Sequence, residues 1–90
     1  MIKHFNIKIY GQVQGVSFRY YAQEKALKLG LVGFVKNQSD GTVYIEVEGE
    51  EEKIKEFLNW CQSGLKSARV EKVEFREGGL KNFTDFEIKF

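Results

Sequence analysis

An α+β sandwich, two helices laid on one face of an antiparallel sheet, is the fold class that three observations predict. Segments of strand period and helix period follow one another in the order β-α-β-β-α-β along the 90 residues. Each helix-period segment is followed by a glycine, Gly30 after the first and Gly64 after the second. A turn sequence, Ser39-Asp40-Gly41, joins the two middle strands as a hairpin. Two helices on one face of such a sheet give the ferredoxin-like α/β sandwich, the split βαβ arrangement, here with a short C-terminal strand added.

Each element has its own reason. Phe5, Ile7 and Ile9 alternate with Asn6, Lys8 and Tyr10, the pattern of a half-buried first strand. From residue 18 to 29 the period changes, and Phe18, Ala22, Ala26 and Leu29 form one helical stripe. Leu31 to Asn37 read as the second strand. The third alternates Val43, Ile45 and Val47 against Tyr44, Glu46 and Glu48. Glu50, Glu51 and Glu52 crowd the first turn of the next helix, where negative charge complements the dipole, and Ile54, Phe57, Leu58 and Cys61 supply its buried face. A fourth strand spans residues 68 to 77 with a slip in apolar phase: Ala68 and Val70 share one register, Val73 and Phe75 the other. An irregularity near Glu71-Lys72 reconciles them as a bulge. Phe86, Ile88 and Phe90 form a last short strand that covers a sheet edge.

Ninety residues are enough for about one small domain, so residues 1–90 are expected to form a single unit. A hydrophobic content of 42% predicts an ordinary globular interior, and there is no repeat, linker or proline. Fourteen Lys and Arg against 13 Asp and Glu are too balanced for general nucleic-acid or anionic-membrane binding. No apolar run reaches the ~20 residues of a membrane-spanning helix, and the start MIKHFNIKIY lacks a signal-peptide pattern. The single cysteine, Cys61, makes no internal disulfide, which fits a reducing, cytoplasmic home. One histidine and one cysteine leave no ligand set for the usual zinc cages, and no acidic cluster points to Mg²⁺, so no metal or cofactor is expected. No association surface is evident either, and a monomer is the default.

The chemistry-bearing stretch is GQVQGVSFRYY, residues 11–21, at the junction of the first strand and first helix. A helix N-terminus leaves several N–H groups unpartnered with partial positive charge behind them. A glycine-containing loop feeding that end curls its amides around a phosphate. Arg19, in the first turn, adds a planar fork for two phosphate oxygens. Topology then brings in a second residue. Strands 1 and 2 run the same way through a right-handed crossover, so their C-terminal ends and the start of the first helix share one sheet edge. Asn37 therefore lies beside residues 11–19. Taken singly, Gly11 and Gly15 satisfy a tight turn, Arg19 is a solvated cation and Asn37 a turn residue; together they point to an anion site.

Sharper motifs are missing. An ATP-type phosphate loop needs four residues between its glycines and then Lys-Ser/Thr, whereas three intervene here. A cysteine-dependent phosphatase loop needs a thiolate where Val13 stands. Ser17 has no activating histidine or lysine, and His4, opening strand 1, reads as a surface residue. The RNA-recognition pattern and the Cys-x-x-Cys of metal chaperones are also missing.

GQVQGVSFR followed by GFVKNQSDGTV resembles the acylphosphatase signature, Gly-x-Val-Gln-Gly-Val-x-Phe-Arg and then Gly-aromatic-Val-x-Asn-x-x-Asp-Gly-x-Val. The match spans residues 11–43, and ARV at 68–70 and the FEIKF ending agree outside it. Leu65 stands where the family commonly has a proline, which touches the turn before the fourth strand. The resemblance implies metal-independent hydrolysis of a small acyl phosphate to a carboxylate and inorganic phosphate by direct attack of water. It assigns phosphoryl binding to Arg19, water orientation to Asn37, and the phosphate cradle to the amides of Gln14, Gly15, Val16, Ser17 and Phe18. The alternative is an anion-binding or protein-interaction module of the same fold without catalysis; single-stranded RNA binding ranks third.

Overall fold

The computed structural model describes residues 1–90. Its elements are β1 (Ile2–Gln12), α1 (Phe18–Lys28), β2 (Val32–Asn37), β3 (Val43–Glu50), α2 (Glu51–Ser63), β4 (Arg69–Gly78) and β5 (Phe86–Lys89). They build one five-stranded sheet in the order β4-β1-β3-β2-β5. The expectation of an antiparallel sheet holds for the first four strands and needs correction for the fifth. β5 pairs parallel to β2, Gly33 with Phe86 and Lys36 with Lys89, so the sheet is mixed. β2 also begins one residue later than read, at Val32, because Leu31 turns into the core after the helix stop.

One face of the sheet carries both helices. Ile7 and Ile9 of β1, Val35 of β2 and Val43, Ile45 and Val47 of β3 point at it. Phe18, Ala22 and Ala26 of α1 and Ile54, Phe57 and Cys61 of α2 close over them. Trp60 joins the two helices, its ring 5.2 Å from Phe18 and 6.0 Å from Phe57. Leu58 is only half-buried. α1 carries Lys25 and Lys28 in its last turn, the end where positive charge is favourable, and Gly30 follows with φ +73°. α2 begins on Glu51 and Glu52 and ends at Gly64.

The slip in β4 is real and has a steric partner. Tyr10 faces Lys72 and Gly11 faces Val70, which leaves Glu71 as the extra residue. At that step the strands approach so closely that a Cβ on Gly11 would sit 2.0 Å from the Arg69 carbonyl oxygen. Gly11 has φ +127°, a conformation that side chains rarely adopt. The first glycine of the motif is thus a consequence of strand pairing.

The helix-free face is not simply solvated, and here one expectation changes. His4, read as a surface residue, is buried, with 1% of its surface exposed; Glu46 and Glu48 on β3 are buried beside it. The connection from β4 to β5 crosses this face and covers them. Phe83 stacks on the His4 ring at 5.9 Å, and the Lys81 and Phe83 amides donate to Glu48. His4 Nδ1 lies 2.7 Å from Glu48 Oε2 and Nε2 lies 3.0 Å from Asn6 Oδ1. Lys81 Nζ reaches Glu46 at 2.8 Å, and the Tyr44 hydroxyl donates to Glu46 at 2.7 Å. The buried charges are therefore paired and hydrogen-bonded, the condition under which burial is tolerated.

Candidate active site

β1 and β2 both pair antiparallel with β3, which lies between them, so they run the same way. Their C-terminal ends and the start of α1 meet at one edge of the sheet. Because β5 is parallel to β2, its C-terminal end arrives there too. At this edge a cleft of about 270 Å³ is lined by Val13, Gly15, Ser17, Phe18, Arg19 and Asn37. Val13 and Phe18 are buried and anchor the loop from below, leaving its backbone to face outward.

The loop reaches α1 through two left-handed residues, Gly15 at φ +76° and Ser17 at φ +62°, ψ 25°. Such residues turn successive N–H groups toward one concave side. A Cβ on Gly15 would meet nothing within 4 Å, so this glycine answers to backbone conformation and not to space. Ser17 is the N-cap of α1, yet its side chain makes no cap bond. A serine in the usual extended cap conformation would claim an N–H of the first turn for its own hydroxyl. The left-handed conformation forgoes that bond, so the Ser17 hydroxyl does not occupy a leading amide of the helix.

Two side chains complete the wall. Arg19 stands in the first turn of α1, where no acidic residue accompanies it. Its Nη1 donates to the Lys89 carbonyl at 2.9 Å, and its guanidinium carbon lies 4.8 Å from the centre of the Phe90 ring. The end of β5 thus holds one edge and one face of the guanidinium and leaves other N–H donors of the fork for a ligand. Asn37, the last residue of β2, has a buried Oδ1 with no hydrogen-bond partner in the protein. A buried acceptor left unpaired costs about 1–3 kcal/mol, and this one borders the cleft.

The two halves of the site are clasped together by Gln14. Its Nε2 donates to the carbonyls of Gln38, at 2.7 Å, and Thr42, at 2.9 Å. This ties the loop before α1 to the β2–β3 turn and sets the spacing between Arg19 and Asn37. Within the turn, the Thr42 amide and hydroxyl donate to Asp40 at 3.0 and 2.6 Å, and Lys8 pairs with the same carboxylate at 3.2 Å. The Thr42 bonds, with help from Lys8, hold the Asp40 carboxyl at about 2, so it stays ionised and engaged within the turn. No carboxylate lines the cleft itself. No group of three or more His, Cys, Asp or Glu side chains gathers anywhere to hold a metal ion.

Of the residues singled out in the sequence, Gly15, Ser17, Phe18, Arg19 and Asn37 come together at the cleft, and Gln14 and Val16 do not line it. Gln14 contributes its side chain to the clasp, and the Val16 carbonyl faces Ser67 at 3.5 Å. Sequence reasoning missed Val13, the Lys89 carbonyl and Phe90. The FEIKF alternation marked a strand, but a strand's direction, and therefore the edge where it ends, has no signature in five residues.

The family model Acylphosphatase matches residues 5–88. The chain is 46% identical over 81 residues to an acylphosphatase of a Nocardioides species, covering 87% of this chain and 82% of that protein. It is 41% identical to an acylphosphatase of Oceanobacillus iheyensis, over 99% of this chain and 100% of the relative. The crystal structure of an acylphosphatase from Bacillus subtilis superposes with a TM-score of 0.94 at 35% identity, with both chains covered in full. On the family model, these relatives and the shared fold, the chain belongs to the acylphosphatase family, hydrolases that cleave the carboxyl–phosphate bond.

Proposed function

We propose that this acylphosphatase works by direct attack of water on a phosphoryl group held by the loop amides and Arg19, with Asn37 orienting the water. The observation that carries this reading is the buried Asn37 Oδ1 without a protein partner at the cleft. It is an acceptor suited to one O–H of a water molecule whose oxygen faces the phosphorus. The amides of Gly15, Ser17 and Phe18 and the positive end of α1 supply fixed dipoles for the three equatorial oxygens, and the Arg19 fork supplies a full charge.

The economy of the site follows from the leaving group. A carboxylate, whose conjugate acid has a pKa near ~4, departs without a proton donor. An alkoxide would need a general acid or a metal ion. Positioning and charge stabilisation then carry the reaction. The cleft offers no carboxylate, histidine or lysine as a base. A nonbridging phosphate oxygen of the substrate is the acceptor for the water's proton in this reading. The protein acts as a cytoplasmic monomer on small acyl phosphates, consistent with a cleft of about 270 Å³ and with no helix long and apolar enough to cross a membrane.

The experiment compares benzoyl phosphate with phenyl phosphate as substrates, each with a chelator present. Hydrolysis of the acyl phosphate alone, unchanged by the chelator, supports the mechanism. Chelator-sensitive cleavage of the monoester would contradict it.

A further inference from the structure

Past its last paired row, the sheet no longer fixes the two halves of the site against each other. The β1–β3 ladder ends at Ile9 opposite Val43, and the β2–β3 ladder ends at Asn37 opposite the same Val43. Asn37 is therefore the terminal paired residue of its strand, with the turn 38–42 beyond it. No backbone hydrogen bond joins that turn to residues 13–17. What hydrogen-bonds the two segments together is one group, the Gln14 side-chain amide, whose Nε2 donates to both the Gln38 and Thr42 carbonyls.

Each segment is firm by itself. In the turn, the Gln38 amide donates to the Thr42 carbonyl at 2.9 Å and the Gly41 amide to the Gln38 carbonyl at 3.1 Å. The Thr42 hydroxyl reaches Gln38 Oε1 and Asp40 Oδ1 as well, so the turn moves as a unit with Asn37 at its root. On the other side, Val13 and Phe18 are seated in the core, and the Lys89 carbonyl holds Arg19 without help from the turn. We infer that Gln14 is a positioning residue for the reaction: its amide sets Asn37 at the distance from the phosphoryl-binding half at which an attacking water is aligned. This inference rests on the mechanism proposed above and extends it to a side chain that does not line the cleft. Because the phosphate-binding half is anchored independently, loss of Gln14 acts on kcat and spares phosphate binding. A displacement of about 1 Å in such an alignment costs on the order of 10²-fold in rate.

The test measures benzoyl phosphate turnover and inorganic phosphate affinity in three variants. Gln14→Ala is expected to lower kcat by roughly 10- to 10²-fold, with phosphate affinity within a few-fold of the parent. Added to Asn37→Ala, the same change should lower kcat little further, because residues that act as one unit are not additive. Gln14→Glu, nearly isosteric, carries the test even if Gln14→Ala does not fold. Its ionised carboxylate faces two carbonyl oxygens and should depress kcat at about pH 8; those oxygens favour the neutral acid, which regains an O–H donor. The ratio of variant to parent kcat should therefore rise as pH falls toward about 5. Phosphate affinity lost in step with kcat, full additivity with Asn37→Ala, or a ratio that does not change with pH would each overturn the positioning role and leave Arg19 and Asn37 in theirs. Near-normal turnover in Asn37→Ala alone would instead remove the mechanism on which the inference rests.

Discussion

Glycine occurs in both halves of the motif for different physical reasons, and substitution separates them. At Gly33, φ is +143° and a Cβ would lie 1.9 Å from the Glu46 carbonyl oxygen, so the strand itself requires glycine. Gly33→Ala is expected to destabilise the fold by about 3 kcal/mol or more, combining overpacking with backbone strain, read as a fall in the urea midpoint. Gly15 has open space where a Cβ would go, so Gly15→Ala should cost only the left-handed penalty of about 1–2 kcal/mol. Equal losses at the two positions would contradict this distinction. Arg19 is the other residue on which the proposed mechanism depends. It pays a small dipole penalty in the first turn of α1, which a bound dianion reverses. Arg19→Ala should lower kcat/KM for benzoyl phosphate by on the order of 10³-fold and abolish competition by inorganic phosphate; a change below roughly tenfold would remove the guanidinium from the account.

At the scale of elements, the end of β5 acts on the site through Arg19. Phe90 is fully exposed apart from its contact with the guanidinium, so it contributes little to the core. Phe90→Ala should weaken phosphate binding by roughly two- to fivefold, the worth of an exposed cation–π contact, without moving the urea midpoint. An unchanged phosphate affinity would show that the Lys89 carbonyl alone orients the fork. The elements also show what a sequence carries and what it omits. Periodicity exposed β1, α1, β3 and α2, because each buries one face, and the phase slip in β4 exposed the bulge at Glu71. Gly15, Arg19 and Asn37 each have a common structural use when read singly, and only the topology that gathers them at one edge pointed to an anion site. The burial of His4 was not legible. It depends on the β4–β5 connection folding over the helix-free face, a long-range event that strand alternation does not encode. The Gln14 clasp was missed for a similar reason. A glutamine side chain that bridges two turn carbonyls looks, in sequence, like any polar loop residue.

Over the whole molecule, the two faces of the sheet divide the work. The helix face supplies the apolar core, and the opposite face holds a buried charge network under residues 79–85. Burial alone would raise the Glu48 carboxyl, but hydrogen bonds from Lys81, His4 and Phe83 outweigh it and hold it below its ordinary 4.5; Glu46 is lowered likewise against burial by Lys81 and Tyr44. A carboxyl with a lowered folded value stabilises the fold while it is ionised. That contribution is complete above the unfolded value and is lost as pH falls through the folded one. The urea midpoint should therefore hold from neutrality to about pH 5 and drop below the ordinary carboxylate range. In Glu48→Gln the midpoint should start lower and fall less. An acid profile identical in slope for the two proteins would dissociate this network from stability. The cleft edge stands apart from that network, joined to it only through the sheet, and the mechanism proposed for it turns on Asn37. The most direct test measures inorganic phosphate binding and benzoyl phosphate turnover in Asn37→Ala. Phosphate affinity within a few-fold of the parent, with kcat reduced by about 10²-fold or more, is the result expected if Asn37 orients water. Near-normal turnover, or loss of phosphate binding together with turnover, would contradict it.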